Sequence, residues 1–166
     1  WVPFNEGWWQ FDAAQAVDPL RTLDPDRLVD EASGWYDQGG GDVDSRHNYF
    51  YPLHLRPGRR TVALSEYGGI AWPMPGHEPP RRTYGYGTAK SRAELTGRYR
   101  KLQLETVLPQ LRNGLSALVY TQVSDVEDEV NGLFTYDRQA VKPGPAAIRA
   151  VDEALEEEFE KVLKQA

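Results

Sequence analysis

No cysteine occurs among the 166 residues. That excludes a disulfide framework and any thiolate metal site, and it leaves the compartment open between secreted, periplasmic and cytoplasmic. No apolar run approaches the ~20 residues that cross a bilayer, so no membrane partner is expected. No secretory leader is visible. Basic charge is in short supply: 19 Lys and Arg stand against 25 Asp and Glu, a net charge of −6. Nucleic acid needs a basic face and is not expected as a partner. The tight basic pairs, Arg59-Arg60 and Arg81-Arg82, lie in Gly/Pro-rich stretches and read as solvated loop charge. Repeats and low-complexity segments are also absent.

What is present is a globular composition, 40% hydrophobic and 27% charged, with five Trp, nine Tyr and five Phe. The length suffices for one domain with a real core. Aromatic faces suit sugar rings and cores alike, so their number alone decides nothing. The chain opens on Trp1-Val2-Pro3-Phe4-Asn5-Glu6, an apolar strand-like segment with no lead-in. The expectation is a fragment of a larger protein.

Residues 1–5, 27–32, 43–49, 61–65 and 115–121 read as short strands. A helix is expected over residues 12–23, capped by Asp12 and disturbed by Pro19. A long one is expected over residues 88–112, loosened near its end by Pro109 and stopped at Asn113-Gly114. A third starts at Pro145, where a missing N–H costs nothing. Its stripe Ile148, Val151, Leu155, Phe159 and Val162 reads as core, and Glu156, Glu157, Glu158 and Lys161 as a solvated face. Residues 68–87 form a Gly/Pro-rich loop of the length that often carries function. Strands alternating with helices point to α/β with parallel strands and no internal domain boundary.

Two of the strands run into a carboxylate, Asn5-Glu6 and Ser65-Glu66. Glycoside hydrolysis needs two carboxyl groups flanking one bond, one protonated to donate to the leaving oxygen and one ionised to attack. Rigid strand ends suit that task. With 25 acidic residues in the chain, two can also end strands by chance, as surface or capping groups.

Longer stretches narrow the choice. The segments are Trp1-Val2-Pro3-Phe4-Asn5-Glu6-Gly7-Trp8, Arg27-Leu28-Val29-Asp30-Glu31-Ala32-Ser33-Gly34-Trp35, Asp44-Ser45-Arg46-His47-Asn48-Tyr49 and Leu64-Ser65-Glu66-Tyr67-Gly68-Gly69. Two more are Gly114-Leu115-Ser116-Ala117-Leu118-Val119-Tyr120-Thr121-Gln122 and Asn131-Gly132-Leu133-Phe134-Thr135-Tyr136-Asp137-Arg138. In this order they resemble the C-terminal barrel region of glycoside hydrolase family 2, the β-galactosidase, β-mannosidase and β-glucuronidase superfamily.

The resemblance implies a partial (β/α)8 TIM barrel, roughly strands four to eight with their helices. The sixth helix would be reduced, and strands one to three and the preceding β-sandwich domains would lie upstream. It implies a retaining mechanism with Glu6 as acid/base and Glu66 as nucleophile. Their carboxyls would then lie ~5–5.5 Å apart, with Glu6 the less solvated. Asn5 would contact the sugar 2-hydroxyl. His47 would contact substrate or make a structural hydrogen bond, and Tyr49 would help to fix Glu66. Trp8, Trp9, Trp35, Trp72 and Tyr120 could each stack on sugar or pack in the core, and Gln122 would face the site. Glucuronide-acting relatives carry an Asn-x-Lys motif where this chain has Glu127-Asp128-Glu129-Val130-Asn131, without lysine. A neutral β-glycoside, galactoside or mannoside, is therefore favoured. No cofactor is required; the resemblance allows Mg²⁺ or Na⁺ but assigns no ligands. The fragment alone is expected to be inactive and to self-associate through exposed strand edges and barrel interior. The alternative is a non-catalytic carbohydrate-binding or scaffolding protein with a degenerate barrel.

Overall fold

Residues 1–77 and 82–165 are described by a computed structural model; Arg81 of the Arg81-Arg82 pair lies outside them. The elements, in order, are β1 (Phe4–Asn5), α1 (Ala13–Leu23), β2 (Ala32–Ser33), β3 (Val43–Asn48), β4 (Thr61–Gly68), α2 (Arg92–Lys101), β5 (Leu115–Thr121) and α3 (Pro145–Leu163). The architecture is mixed α/β, with small sheets and three helices among the described residues. β1 pairs in parallel with β2, β3 in parallel with β4, and β5 lies on the far side of β4. These sheets do not close into a barrel. Among the described residues, no helix is long and apolar enough to cross a membrane.

The chain divides into two units. The first comprises Trp1–Asn48, His54–Tyr67 and Asn113–Val119; the second comprises Tyr49–Leu53, Gly68–Arg112 and the chain from Tyr120 onward.

In the first unit β4 is apolar over Val62, Ala63 and Leu64, all buried, as suits a strand covered on both faces. α1 buries Ala13 and Val17. Asp12 does not cap it: its backbone is left-handed (φ 42°) and its side chain makes no capping bond. Pro19 sits inside the helix without ending it. The second expected strand shrinks to Ala32–Ser33. The reason lies in the preceding residues, whose backbone bonds go elsewhere. Val29 donates to Asp42 Oδ2 at 2.8 Å and Asp30 to the Trp1 carbonyl at 2.8 Å. Buried Glu31 then organises the glycine turn that follows, accepting from the Gln38 and Gly40 amides at 2.7 and 2.8 Å.

In the second unit, Ile70, Trp72, Ala89 and Leu95 form a buried cluster, with Met74 packed against it. α2 starts at Arg92, later than expected, because Ser91 caps it by accepting from the Glu94 amide at 3.2 Å. The rest of the expected helix loosens into a π-helical stretch, Leu102–Val107, and a 3₁₀ stretch, Leu108–Asn113. Pro109 has no N–H for the i→i−4 ladder, which explains the changed winding near it. α3 begins at Pro145 as expected and buries Val151, with Ile148, Leu155, Phe159 and Val162 half-buried on the same stripe. Glu158 departs from the solvated face. It is buried and accepts from Arg112 Nε at 2.6 Å, which holds its carboxyl below the usual range.

Candidate active site

The first unit gathers Glu6, His47 and Glu66. β1 ends at Asn5, and the Glu6 amide continues its pairing by donating to the Ser33 carbonyl at 2.9 Å. The chain then turns sharply: Glu6 has φ 53° and Gly7 φ 76°. A positive φ at a glutamate is strained, and such strain persists only where surrounding contacts impose it. Gly7 is needed at the turn because an added Cβ would stand 2.5 Å from the Tyr36 ring.

β3 and β4 bring the other two residues together. Their register runs Arg46↔Leu64 and then His47↔Glu66, so Ser65 is an extra residue on β4. Without this bulge, His47 would face Ser65. Bulges re-aim side chains in this way, and here the effect is to set Glu66 directly opposite His47.

His47 Nδ1 lies 2.8 Å from Glu6 Oε1 and 3.5 Å from Glu66 Oε2. One oxygen of each carboxylate and the histidine nitrogen all lie within 4.8 Å of one another. Two carboxylates with oxygens this close can flank a single bond. Glu6 is the less exposed, its side chain 20% accessible against 31% for Glu66. The same spacing could hold a divalent cation, with neutral imidazole and two carboxylates as donors. The other ring nitrogen, Nε2, lies 2.9 Å from Ser33 Oγ.

The His47 side chain is fully buried. It shares hydrogen bonds with the Glu6 carboxyl and with Ser33. Trp35 is 47% exposed, its ring tilted against the imidazole with centroids 6.3 Å apart. Asn5 is exposed at the end of β1. Trp8 and Trp9 are largely exposed, in the turn that follows Glu6. Asp37, beside this region in sequence, is held at about 2 by the Arg60 guanidinium, which binds both its oxygens.

Tyr49, Trp72, Tyr120 and Gln122 belong to the second unit. Trp72 is only 9% exposed and packs in the cluster with Ile70 and Leu95. Of the two readings open to it, sugar stacking or core packing, the structure shows core packing. Tyr49 stacks on Tyr86 at 3.5 Å, and its hydroxyl lies 2.9 Å from Thr121 Oγ1. Tyr120 is half-buried, edge-on to Tyr99, and closes over Gly68, where a Cβ would stand 2.2 Å from its ring. Gln122 donates to Asn131 Oδ1 at 2.8 Å and to Glu129 Oε2 at 3.1 Å. Its amide braces the acidic loop.

Several residues were not singled out from sequence. Ser33 and Asp30 lie in a quoted motif, but nothing in the letters shows that they back His47. Tyr84 and Tyr86, in the loop flagged for its length, carry an aromatic cluster with Tyr49 and Phe50. Lys142 and Asp125 form a buried ion pair at 2.7 Å, and Lys142 also donates to the Val130 carbonyl. Burial pushes the Asp125 carboxyl up and the Lys142 ammonium down, against the pull of their pairing.

No family model matches the chain, and a search of curated proteins returns no match.

Proposed function

We propose that the protein is a retaining O-glycosidase in which Glu6 is the acid/base and Glu66 the nucleophile. The observation that carries this reading is the approach of one oxygen of each carboxylate to within 4.8 Å of the other, beside His47. In the first step Glu66 attacks the anomeric carbon, and Glu6 gives its proton to the departing oxygen. In the second step Glu6 takes a proton from water, which releases the sugar from Glu66. The lower exposure of Glu6 suits the group that must hold a proton. Exposed Trp35 offers an aromatic face for a sugar ring. The absence of lysine from Glu127-Asp128-Glu129-Val130-Asn131, where glucuronide-acting members of the resembled family carry an Asn-x-Lys motif, favours a neutral β-glycoside. The parallel strands are proposed to be part of a (β/α)8 barrel, with Glu6 and Glu66 at its catalytic face.

The test is hydrolysis of neutral aryl β-glycosides by the protein in its full natural length. Glu66→Ala is expected to abolish turnover. Glu6→Ala is expected to spare only substrates whose leaving groups depart without a proton. Wild-type-like turnover by Glu66→Ala rules the proposal out. Calorimetric binding of sugar with no hydrolysis would favour a carbohydrate-binding protein instead.

A further inference from the structure

Behind His47 lies a set of side chains that the double-displacement reaction does not use. Ser33 Oγ stands 2.9 Å from His47 Nε2 and 3.3 Å from Ser65 Oγ, and Ser65 Oγ stands 2.5 Å from Ser45 Oγ. Asp30 lies beside the Ser33 and Ser45 hydroxyls, and burial pushes its carboxyl up. Gly34 leaves the space for the imidazole: a Cβ there would stand 2.4 Å from His47 Cγ.

A serine hydroxyl has one proton to give and two lone pairs to offer. The Ser33 proton is directed at Ser65 Oγ, 3.3 Å away. With the proton there, a lone pair faces the histidine and Nε2 is the donor. The variable ring position is then Nδ1, which faces Glu6 at 2.8 Å and, at the longer distance of 3.5 Å, Glu66. A neutral ring with a bare Nδ1 accepts a hydrogen bond from the acid form of Glu6. A ring protonated at Nδ1 would donate to the carboxylate and favour the ionised form. Burial weighs in the same direction. Moving the proton from Glu6 to the ring would create an ion pair on an imidazole with no exposed surface, at a desolvation cost.

We infer that Ser33 is a positioning residue: it holds His47 in the Nε2–H tautomer, so that Nδ1 receives the Glu6 proton and keeps that carboxyl in its acid form. The inference rests on the reading of Glu6 as acid/base for its catalytic consequence, but not for the tautomer itself.

The experiment is long-range ¹H–¹⁵N correlation on the ¹⁵N-labelled protein at neutral pH, with His47 assigned by its loss in His47→Gln. The expected wild-type pattern is a protonated Nε2 and a bare Nδ1. Ser33→Ala is expected to move the ring towards the Nδ1–H form, and Ser33→Thr, which restores a hydroxyl, to return it. A protonated Nδ1 in the wild type, alone or together with Nε2, overturns the inference. So does an unchanged tautomer in a folded Ser33→Ala. Should that variant fail to fold, the wild-type spectrum alone decides. In the kinetic arm, Ser33→Ala is expected to lower kcat about ten- to a hundredfold on glycosides with poor leaving groups, a part of the ~10²–10⁴ that general acid catalysis supplies. Activated aryl glycosides should react at nearly the wild-type rate. Absence of all glycosidase activity would count against the proposed reaction and leave the spectroscopic result to stand or fall separately.

Discussion

Gly34 sits at φ +90°, and a Cβ there would overlap the His47 ring. Both facts bear on one substitution. Gly34→Ala would add backbone strain and force the imidazole away from Glu6. The expected loss is about 1–3 kcal/mol from the backbone alone, read as a lower urea midpoint, together with a changed His47 ¹⁵N spectrum. An unchanged midpoint and spectrum would show that neither constraint operates. At this scale the sequence made some positions legible and not others. Glu6 and Glu66 could be singled out because each follows a strand-like run within a longer recognisable stretch. Ser33 and Gly34 stood in the same quoted motif as Trp35, yet their roles depend on a ring reaching them from β3, 14 residues on for Ser33. Trp72 stayed undecided between stacking and core for a related reason: Leu95, which with Ile70 buries it, comes from a distant helix.

Elements whose signal is local and continuous were the most legible. β5 occupies the expected residues, and α3 begins where Pro145 places it. The bulge at Ser65 was illegible, because register is a property of two strands and Thr-Val-Ala-Leu-Ser reads the same with or without it. The onset of α2 was also missed, although its cap is local. Ser91 accepts from the Glu94 amide while Glu94 Oε2 accepts from the Lys90 amide at 2.9 Å. This reciprocal arrangement resembles a capping box shifted by one residue. Removing the hydroxyl leaves an amide of the first turn without its acceptor. Ser91→Ala is expected to lower stability by about 0.5–2 kcal/mol, and Ser91→Asp to retain most of it. Guanidinium unfolding monitored by helical circular dichroism checks this; equal midpoints for Ser91→Ala and wild type would show that the cap contributes nothing.

Across the whole molecule, a net charge of −6 means that the acid limb of stability is governed by carboxylates. They do not act with one sign. Asp37 is held at about 2 by Arg60, so its folded value lies below its unfolded one. Its contribution is complete above the unfolded value near ~4 and is lost as pH falls through about 2. Asp137 follows the same course, held at about 2 by the Thr135 hydroxyl, the Gln139 amide and His77. Asp30 runs the other way. Burial raises its folded value, so its contribution is greatest below the unfolded value and declines as pH rises through the folded one. On acidification Asp30 therefore offsets part of what Asp37 loses. Two variants of neighbouring sequence positions should then change the pH profile in opposite directions. Asp37→Asn is expected to flatten the loss between pH ~4 and ~2 by about 1 kcal/mol, the full linkage value being reduced because the pair is partly solvated. Asp30→Asn is expected to steepen the loss that begins just above that window. Urea midpoints measured in steps from neutral pH downward distinguish the two. Parallel shifts of the whole profile in both variants, with no change of slope, would mean that neither carboxyl titrates differently in the folded and unfolded chain.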